Sequence, residues 1–175
     1  MHVYLMGYRG SGKSTVGRLL GERLGWPVID TDLRIEAAAG RSIRDIFAAE
    51  GEPGFRQREQ QVIADVATGG GPCVVALGGG AVLRPDNRQA ILGSGRVVWL
   101  RGSAEHLFAR IEADASTAQR RPQLSQRSGY DEVVEMLARR EPIYAQLAQF
   151  TVATDNKAPD EVVLEIVDWL ESSGQ

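Results

Sequence analysis

Cysteine and histidine are scarce in this sequence, and it has no long apolar run. The single cysteine, Cys73, cannot form an internal disulfide, which is typical of proteins that fold in a reducing compartment. The two histidines, His2 and His106, are too few and too isolated to build a metal site. No apolar run approaches the roughly 20 residues of a membrane-spanning helix, so we expect no membrane span.

A large excess of charge of one sign is also missing. The 20 basic and 23 acidic residues give a formal net charge of -3. This balance gives no general attraction to nucleic acids or to anionic membranes. The first predicted strand begins at about Val3, which leaves no room for a signal peptide. We therefore expect a cytoplasmic protein that binds neither nucleic acid nor membranes and forms a single domain over residues 1–175.

Lysine is rare among the basic residues, and one lysine lies in the most strongly patterned stretch. Residues 7–14 fit G-x-x-x-x-G-K-[ST], the phosphate-binding loop, between an apolar strand pattern and a helix pattern. The alternative is an ordinary glycine turn before a helix. The pattern predicts that backbone N–H groups and Lys13 bind nucleotide phosphates and that the Ser14 hydroxyl lies on Mg2+.

Five short apolar runs alternate with amphipathic helical segments. The predicted strands are residues 3–6, 27–30, 73–77, 97–100 and 151–153. This alternation predicts an α/β fold with a five-stranded parallel sheet covered by helices on both faces. Residues 51–54 predict a break between two helices, and residues 93–95 predict a loop before the fourth strand.

Two carboxylates, Asp30 and Asp32, follow the second predicted strand. Open α/β sheets bind their ligands at the carboxyl ends of the strands. The alternative is that Asp32 caps the next helix, but capping explains one aspartate and not both. We expect Asp30 to help place Mg2+, because the third strand has no terminal aspartate for that role.

Three consecutive glycines, residues 78–80, follow the third predicted strand. They indicate a close approach of the backbone to another group, with a tight turn as the alternative. Arg56 and Glu59 are three residues apart on a predicted helix and can form an ordinary surface salt bridge. A polar segment at about 113–129, which contains Arg120 and Arg121, is predicted to be a lid over the phosphate site, with a surface loop as the alternative.

These features together favour a small-molecule kinase. Phosphoryl transfer needs positioning and neutralisation of charge, a carboxylate near the acceptor hydroxyl, and exclusion of water. Asp32 is available as that carboxylate. Arginines suit an anionic acceptor because a guanidinium group binds a carboxylate at two points.

At this point the chain resembles the shikimate kinases over essentially its full length. The matching segments are residues 7–15, 30–32, 42–59, 77–80, 121–122 and 140–144. The resemblance implies a P-loop nucleoside-monophosphate-kinase-like three-layer fold, with substrate-binding helices at about 32–67. It also implies phosphorylation of the 3-hydroxyl of shikimate by ATP in the route to chorismate and aromatic amino acids.

The resemblance also implies roles for individual residues. Asp32 would hold the acceptor hydroxyls and orient or accept the proton, and Gly79 would offer its N–H to the substrate. Arg56 and Arg140 would bind the substrate carboxylate, with Glu59 orienting Arg56. Arg121 would stabilise the transferring phosphoryl group with Lys13. The remaining implied residues contact ATP, Mg2+ or substrate, and they are Gly10, Ser11, Gly12, Ser14, Thr15, Asp30, Gly78, Gly80 and Arg110, the last as a candidate for stacking on adenine.

Two rival functions stay open at this stage. Another small-metabolite kinase of the same fold, such as a gluconate kinase, would also bind a hydroxy-carboxylate. A nucleotide-binding regulatory module would make no phosphorylated metabolite and would have no need of two arginines directed at one pocket. We expect a monomer whose partner is a small-molecule substrate.

Overall fold

The computed structural model describes residues 1–114 and 129–173, and its five strands form one parallel sheet. The strands are β1 (His2–Met6), β2 (Val28–Asp30), β3 (Val74–Ala76), β4 (Gly95–Arg101) and β5 (Phe150–Ala153). Their order across the sheet is β2-β3-β1-β4-β5, and every neighbouring pair is parallel. The predicted five-stranded parallel sheet is confirmed.

Helices follow the strands in sequence and cover the sheet. Those in the described ranges are α1 (Lys13–Leu24), α2 (Thr31–Ala39), α3 (Ile43–Thr68), α4 (Pro85–Ser94), α5 (Ala104–Ala113), α6 (Gly129–Leu147) and α7 (Pro159–Ser172). A short 3-10 turn, Ala81–Leu83, precedes α4. No helix within these ranges is long and apolar enough to cross a membrane.

Alternate residues of β1 point to opposite faces of the sheet, and both faces are buried. Val3 and Leu5 pack with apolar residues of α1 and α7. Tyr4 and Met6 pack with apolar residues of α3, α4 and α6. Strands that are buried on both faces read as continuous apolar runs, which explains why β1 and β4 are recognisable in the sequence.

Two predicted boundaries differ from those of the structure. The break predicted between two helices is confirmed, but it is narrower than residues 51–54 and is confined to Gly51, where φ is 68° and ψ is -174°. The helix resumes at once because Pro53 falls in a new first turn, where its missing N–H costs no hydrogen bond. The loop predicted at 93–95 is wrong, since α4 runs to Ser94, whose hydroxyl donates to the Ala90 carbonyl oxygen at 2.7 Å.

The register of the sheet brings three strand ends to one level. Leu5 of β1 pairs with Ala76 of β3, and Ala76 pairs with Asp30 of β2. The segments that follow these strands therefore leave the sheet side by side. They are the phosphate loop after β1, the 30–32 acidic segment after β2 and the glycine segment 78–80 after β3, and together they form one edge of the molecule.

Candidate active site

The phosphate loop turns directly into α1. Gly12 is the N-cap of α1 and has φ 89°, a left-handed conformation that favours glycine. It has no side chain to cap the helix, and the first turn of α1 contains no acidic residue. The N–H groups and positive dipole end of α1 are therefore directed at whatever lies in the loop, which suits an anion.

Lys13 lies across this loop. Its ammonium group donates to the carbonyl oxygens of Gly7 and Tyr8, each at 2.9 Å, and to the Ser11 hydroxyl at 3.4 Å. Ser11 is buried beneath it. The charge of Lys13 is thus held over the concave side of the loop, where the pattern predicts the terminal phosphates of a nucleotide.

Asp30 links the phosphate loop to α2. One carboxylate oxygen accepts the Ser14 hydroxyl at 2.7 Å, and the other accepts the backbone N–H groups of Asp32 at 3.0 Å and Leu33 at 3.3 Å. The idea that Asp32 is the cap of α2 is therefore wrong, because Asp30 is the N-cap. Asp32 lies in the first turn of α2 and is not required for capping.

Each of the three consecutive glycines contacts a different helix, and each of these helices carries a residue predicted to bind the substrate. The first contact belongs to Gly78, whose N–H donates to the Thr31 hydroxyl oxygen at 2.9 Å. Thr31 is fully buried and its hydroxyl donates to the Ala76 carbonyl oxygen at 3.3 Å. This buried threonine fixes the neighbouring Asp32 beside the glycine segment.

Gly79 receives the second contact, from α6. Its carbonyl oxygen accepts from Arg140 Nη1 at 3.1 Å and from the Tyr144 hydroxyl at 2.7 Å. Arg140 and Tyr144 are four residues apart, so they lie on the same face of α6. Tyr144 is fully buried and its ring is 5.7 Å from that of Trp99 on β4, which anchors this face of the helix to the sheet.

Gly80 receives the third contact, from α3. A Cβ atom on Gly80 would lie 2.6 Å from Arg56 Nη2 and 2.7 Å from Nη1. Only a residue without a side chain leaves room for this guanidinium group. The tight-turn alternative is insufficient, because the glycine is required by the approach of Arg56.

Arg56 is held by carboxylates on its own helix. Its Nη1 donates to Glu59 at 2.7 Å and its Nε and Nη2 donate to Glu52, each at 3.2 Å. Glu59 is fully buried, so the surface salt bridge considered from the sequence is wrong. Burial alone lowers the pKa of Arg56, but the charges and hydrogen bonds of Glu59 and Glu52 together outweigh it, and the pKa of Arg56 is raised.

Among the residues that the structure describes, Arg140 has no such counterion. It is 8% exposed, and its Nε is buried with no hydrogen-bond partner in the part of the chain that the structure describes. No carboxylate of the described residues forms a salt bridge with it. Buried polar groups in folded proteins nearly always have partners, so this guanidinium group indicates a site for an anionic ligand.

Arg110 borders the site from α5. Arg110 donates to the Gly10 carbonyl oxygen at 3.5 Å and to the Thr154 carbonyl oxygen at 2.7 Å. It therefore lies beside the phosphate loop, as a nucleotide-contacting residue must. Arg120 and Arg121 lie outside the described residues, as does most of the predicted lid.

Three contributors to the site were given no role from the sequence. Tyr144 ends the 140–144 segment of the resemblance, and its four-residue spacing to Arg140 could have indicated its role. Thr31 gave no signal, because its role depends on pairing with Gly78, 47 residues away. Tyr8 occupies a variable position of the phosphate-loop pattern, and only the fold brings its ring to Arg140.

The parallel sheet, the phosphate loop and the two arginines at the neighbouring glycine segment are those of a P-loop kinase of a small anionic metabolite. The sequence pattern of the family described as shikimate kinase matches residues 9–171. The chain therefore belongs to the shikimate kinase family. The family fold is the P-loop nucleoside-monophosphate-kinase-like fold, as predicted, and its members use ATP as a substrate.

Relatives of known sequence and structure agree with this assignment. The chain is 47% identical to the shikimate kinase of Symbiobacterium thermophilum, over 100% of this chain and 99% of the relative. It is 44% identical to that of Rhodopirellula baltica, over 98% and 91%. The shikimate kinase from Acinetobacter baumannii, solved in complex with shikimate, superposes with a TM-score of 0.90 at 34% identity, covering 98% of this chain and 93% of that one.

Proposed function

We propose that this protein is a shikimate kinase, which transfers the γ-phosphoryl group of ATP to the 3-hydroxyl of shikimate and releases shikimate 3-phosphate and ADP. The observation that carries the proposal is the contact of Gly78, Gly79 and Gly80 with Thr31, Arg140 and Arg56 respectively. One short segment next to the phosphate loop thereby contacts two guanidinium groups and the threonine that precedes Asp32. That set of charges suits a metabolite with one carboxylate and a hydroxyl to be phosphorylated.

On the acceptor side, Arg140 and Arg56 bind the carboxylate. Arg140 contributes most of the attraction, because Glu59 and Glu52 already balance the charge of Arg56. The N–H of Gly79 and the adjoining Gly78 and Gly80 backbone line the substrate. Asp32 holds the hydroxyl and orients or accepts its proton, which makes the oxygen a better nucleophile toward phosphorus.

On the nucleotide side, Gly10, Ser11, Gly12 and Thr15 belong to the loop and helix start that cradle the phosphates. Lys13 stabilises negative charge on the transferring group. Arg110 contacts the nucleotide from α5. That the lid arginine, Arg121, stabilises the transferring phosphoryl group together with Lys13 stays a prediction.

Ser14 and Asp30 suit a magnesium ion. Their side-chain oxygens are 2.7 Å apart at the mouth of the phosphate loop, and Mg2+ prefers oxygen ligands next to nucleotide phosphates. When bound, Mg2+ would neutralise charge on the phosphates. The expected cytoplasmic location and monomeric state also stay predictions.

A coupled assay of ADP release tests the proposed function. The purified chain is given Mg2+ and ATP with shikimate, with gluconate, or with no acceptor. We expect release that depends on shikimate, with one equivalent of ADP for each shikimate phosphorylated. Release with gluconate would indicate a kinase of another metabolite, and release that ignores the acceptor, or no release, would contradict a kinase of either acceptor.

A further inference from the structure

The aromatic ring of Tyr8, in the phosphate loop, lies against the guanidinium group of Arg140. The Cζ atom of Arg140 is 5.3 Å from the centroid of the ring. This is within the roughly 6 Å over which the negative face of an aromatic ring attracts a cation. Both side chains are buried, so water weakens this attraction little.

Tyr8 also contacts the nucleotide side of the site. The backbone carbonyl oxygen of Tyr8 accepts from the Lys13 ammonium group at 2.9 Å. Its ring packs against Leu107 of α5 and against Val133 and Leu137 of α6. One loop residue therefore connects the phosphate-binding lysine with the arginine that faces the acceptor.

An aromatic ring suits Arg140 better than a carboxylate does, because a ring leaves the charge of the guanidinium group available to the substrate. A carboxylate beside Arg140 would neutralise the guanidinium group and compete with the carboxylate of the substrate. An aromatic ring and the Gly79 carbonyl oxygen stabilise the buried cation without cancelling its charge. They also hold the side chain in one orientation before the ligand arrives, which reduces the entropy lost on binding.

We propose that Tyr8 is a positioning residue for the acceptor, since its ring keeps Arg140 buried, charged and oriented for the substrate carboxylate. This inference rests on the proposed function, because it assigns Tyr8 to the affinity for shikimate. It predicts that the affinity for shikimate falls as the face of the ring at position 8 becomes less negative. The affinity for ATP depends on the carbonyl of Tyr8 and should be independent of its ring.

A series of substitutions at position 8 tests this inference. Tyr8→Phe keeps the ring, and phenylalanines with one to five fluorine atoms keep nearly the same shape while weakening the negative face. We expect the Kd of shikimate for Tyr8→Phe to stay within about 2-fold of the wild-type value. The Kd of shikimate should rise with each fluorine, to about 3- to 10-fold in the fully fluorinated variant. The KM of ATP and kcat should stay within about 2-fold.

Two controls separate the possible outcomes. In an Arg140→Gln background the fluorinated series should have no effect on shikimate binding. Tyr8→Leu keeps apolar packing without a ring and should raise the KM of shikimate while leaving the KM of ATP unchanged. A flat fluorine series in a protein that phosphorylates shikimate would overturn the role of Tyr8 alone, whereas an unchanged protein inactive with shikimate would overturn the proposed function itself.

Discussion

Arg56 and Arg140 carry the same charge but have different surroundings. Arg56 is paired with a buried carboxylate, Glu59, and a more exposed one, Glu52. Arg140 faces a ring and a carbonyl oxygen. We therefore propose different tasks for the two arginines. Carboxylates of its own helix fix Arg56 in place, whereas Arg140, which forms no salt bridge with a carboxylate of the described residues, attracts the acceptor.

The buried position of Glu59 leads to a prediction about stability. Glu59→Ala leaves the Arg56 guanidinium group, whose side chain is 14% exposed, without its closest counterion. We expect the free energy of unfolding to fall by about 3 kcal/mol, because a buried charge loses its partner. Urea denaturation followed by circular dichroism measures this loss.

The exposed pair Arg18–Glu22 provides the matched control, since its side chains are 59% and 62% exposed. Glu22→Ala should change the free energy of unfolding by less than about 0.5 kcal/mol. Equal losses in the two variants would show that burial of Glu59 does not matter. The spacing of Arg56 and Glu59 was readable in the sequence, but their burial was not, because it depends on Gly80 and the segment that covers them.

The glycine segment 78–80 is the element on which the site is assembled. Its sequence predicted a close backbone approach but could not identify the approaching groups. They come from α2, α3 and α6, at positions that are distant in the chain from the glycine segment. The helix break at Gly51 was predicted too wide for a related reason, because Pro53 disfavours a helix interior and is tolerated in a first turn.

Gly80→Ala tests the close approach directly. The new Cβ atom would lie 2.6 Å from Arg56 Nη2, so the guanidinium group must move away from the glycine segment. We expect the KM of shikimate to rise about 10-fold, with a smaller change in the KM of ATP. Steady-state kinetics with each substrate varied in turn measure both constants.

Gly93→Ala serves as the control for this substitution. Nothing lies within 4 Å of a Cβ atom at Gly93, which is near the end of α4. This variant should keep both KM values and gain slightly in stability. If Gly80→Ala behaved like Gly93→Ala, the contact between Arg56 and the glycine segment would not contribute to substrate binding.

At the scale of the whole molecule, the order of the strands creates the site. The apolar runs predicted five parallel strands, but they did not predict that β3 lies between β1 and β2. Strand order is a property of long-range packing and leaves no local pattern. Only this order places the glycine segment between the phosphate loop and the Asp30–Asp32 segment.

Ligand-dependent stability reports on the two halves of the site separately. Saturating Mg2+ and ATP should raise the Tm of the unchanged protein by roughly 5–10 °C at about 100 times Kd. Lys13→Ala should lose turnover and most of this shift, yet keep the shift caused by shikimate. Arg18→Ala, on the exposed face of α1, should keep both. Retention of most activity by Lys13→Ala would contradict the role of the phosphate loop.

The pairing of Arg140 with the acceptor carboxylate is tested most directly by comparing shikimate with its methyl ester, which has no negative charge. The unchanged protein should favour shikimate in kcat/KM by about 100-fold or more. Arg140→Gln should lose most of that preference, while Arg139→Gln, its exposed neighbour paired with Glu135, should keep it. An undiminished preference in Arg140→Gln would contradict the account.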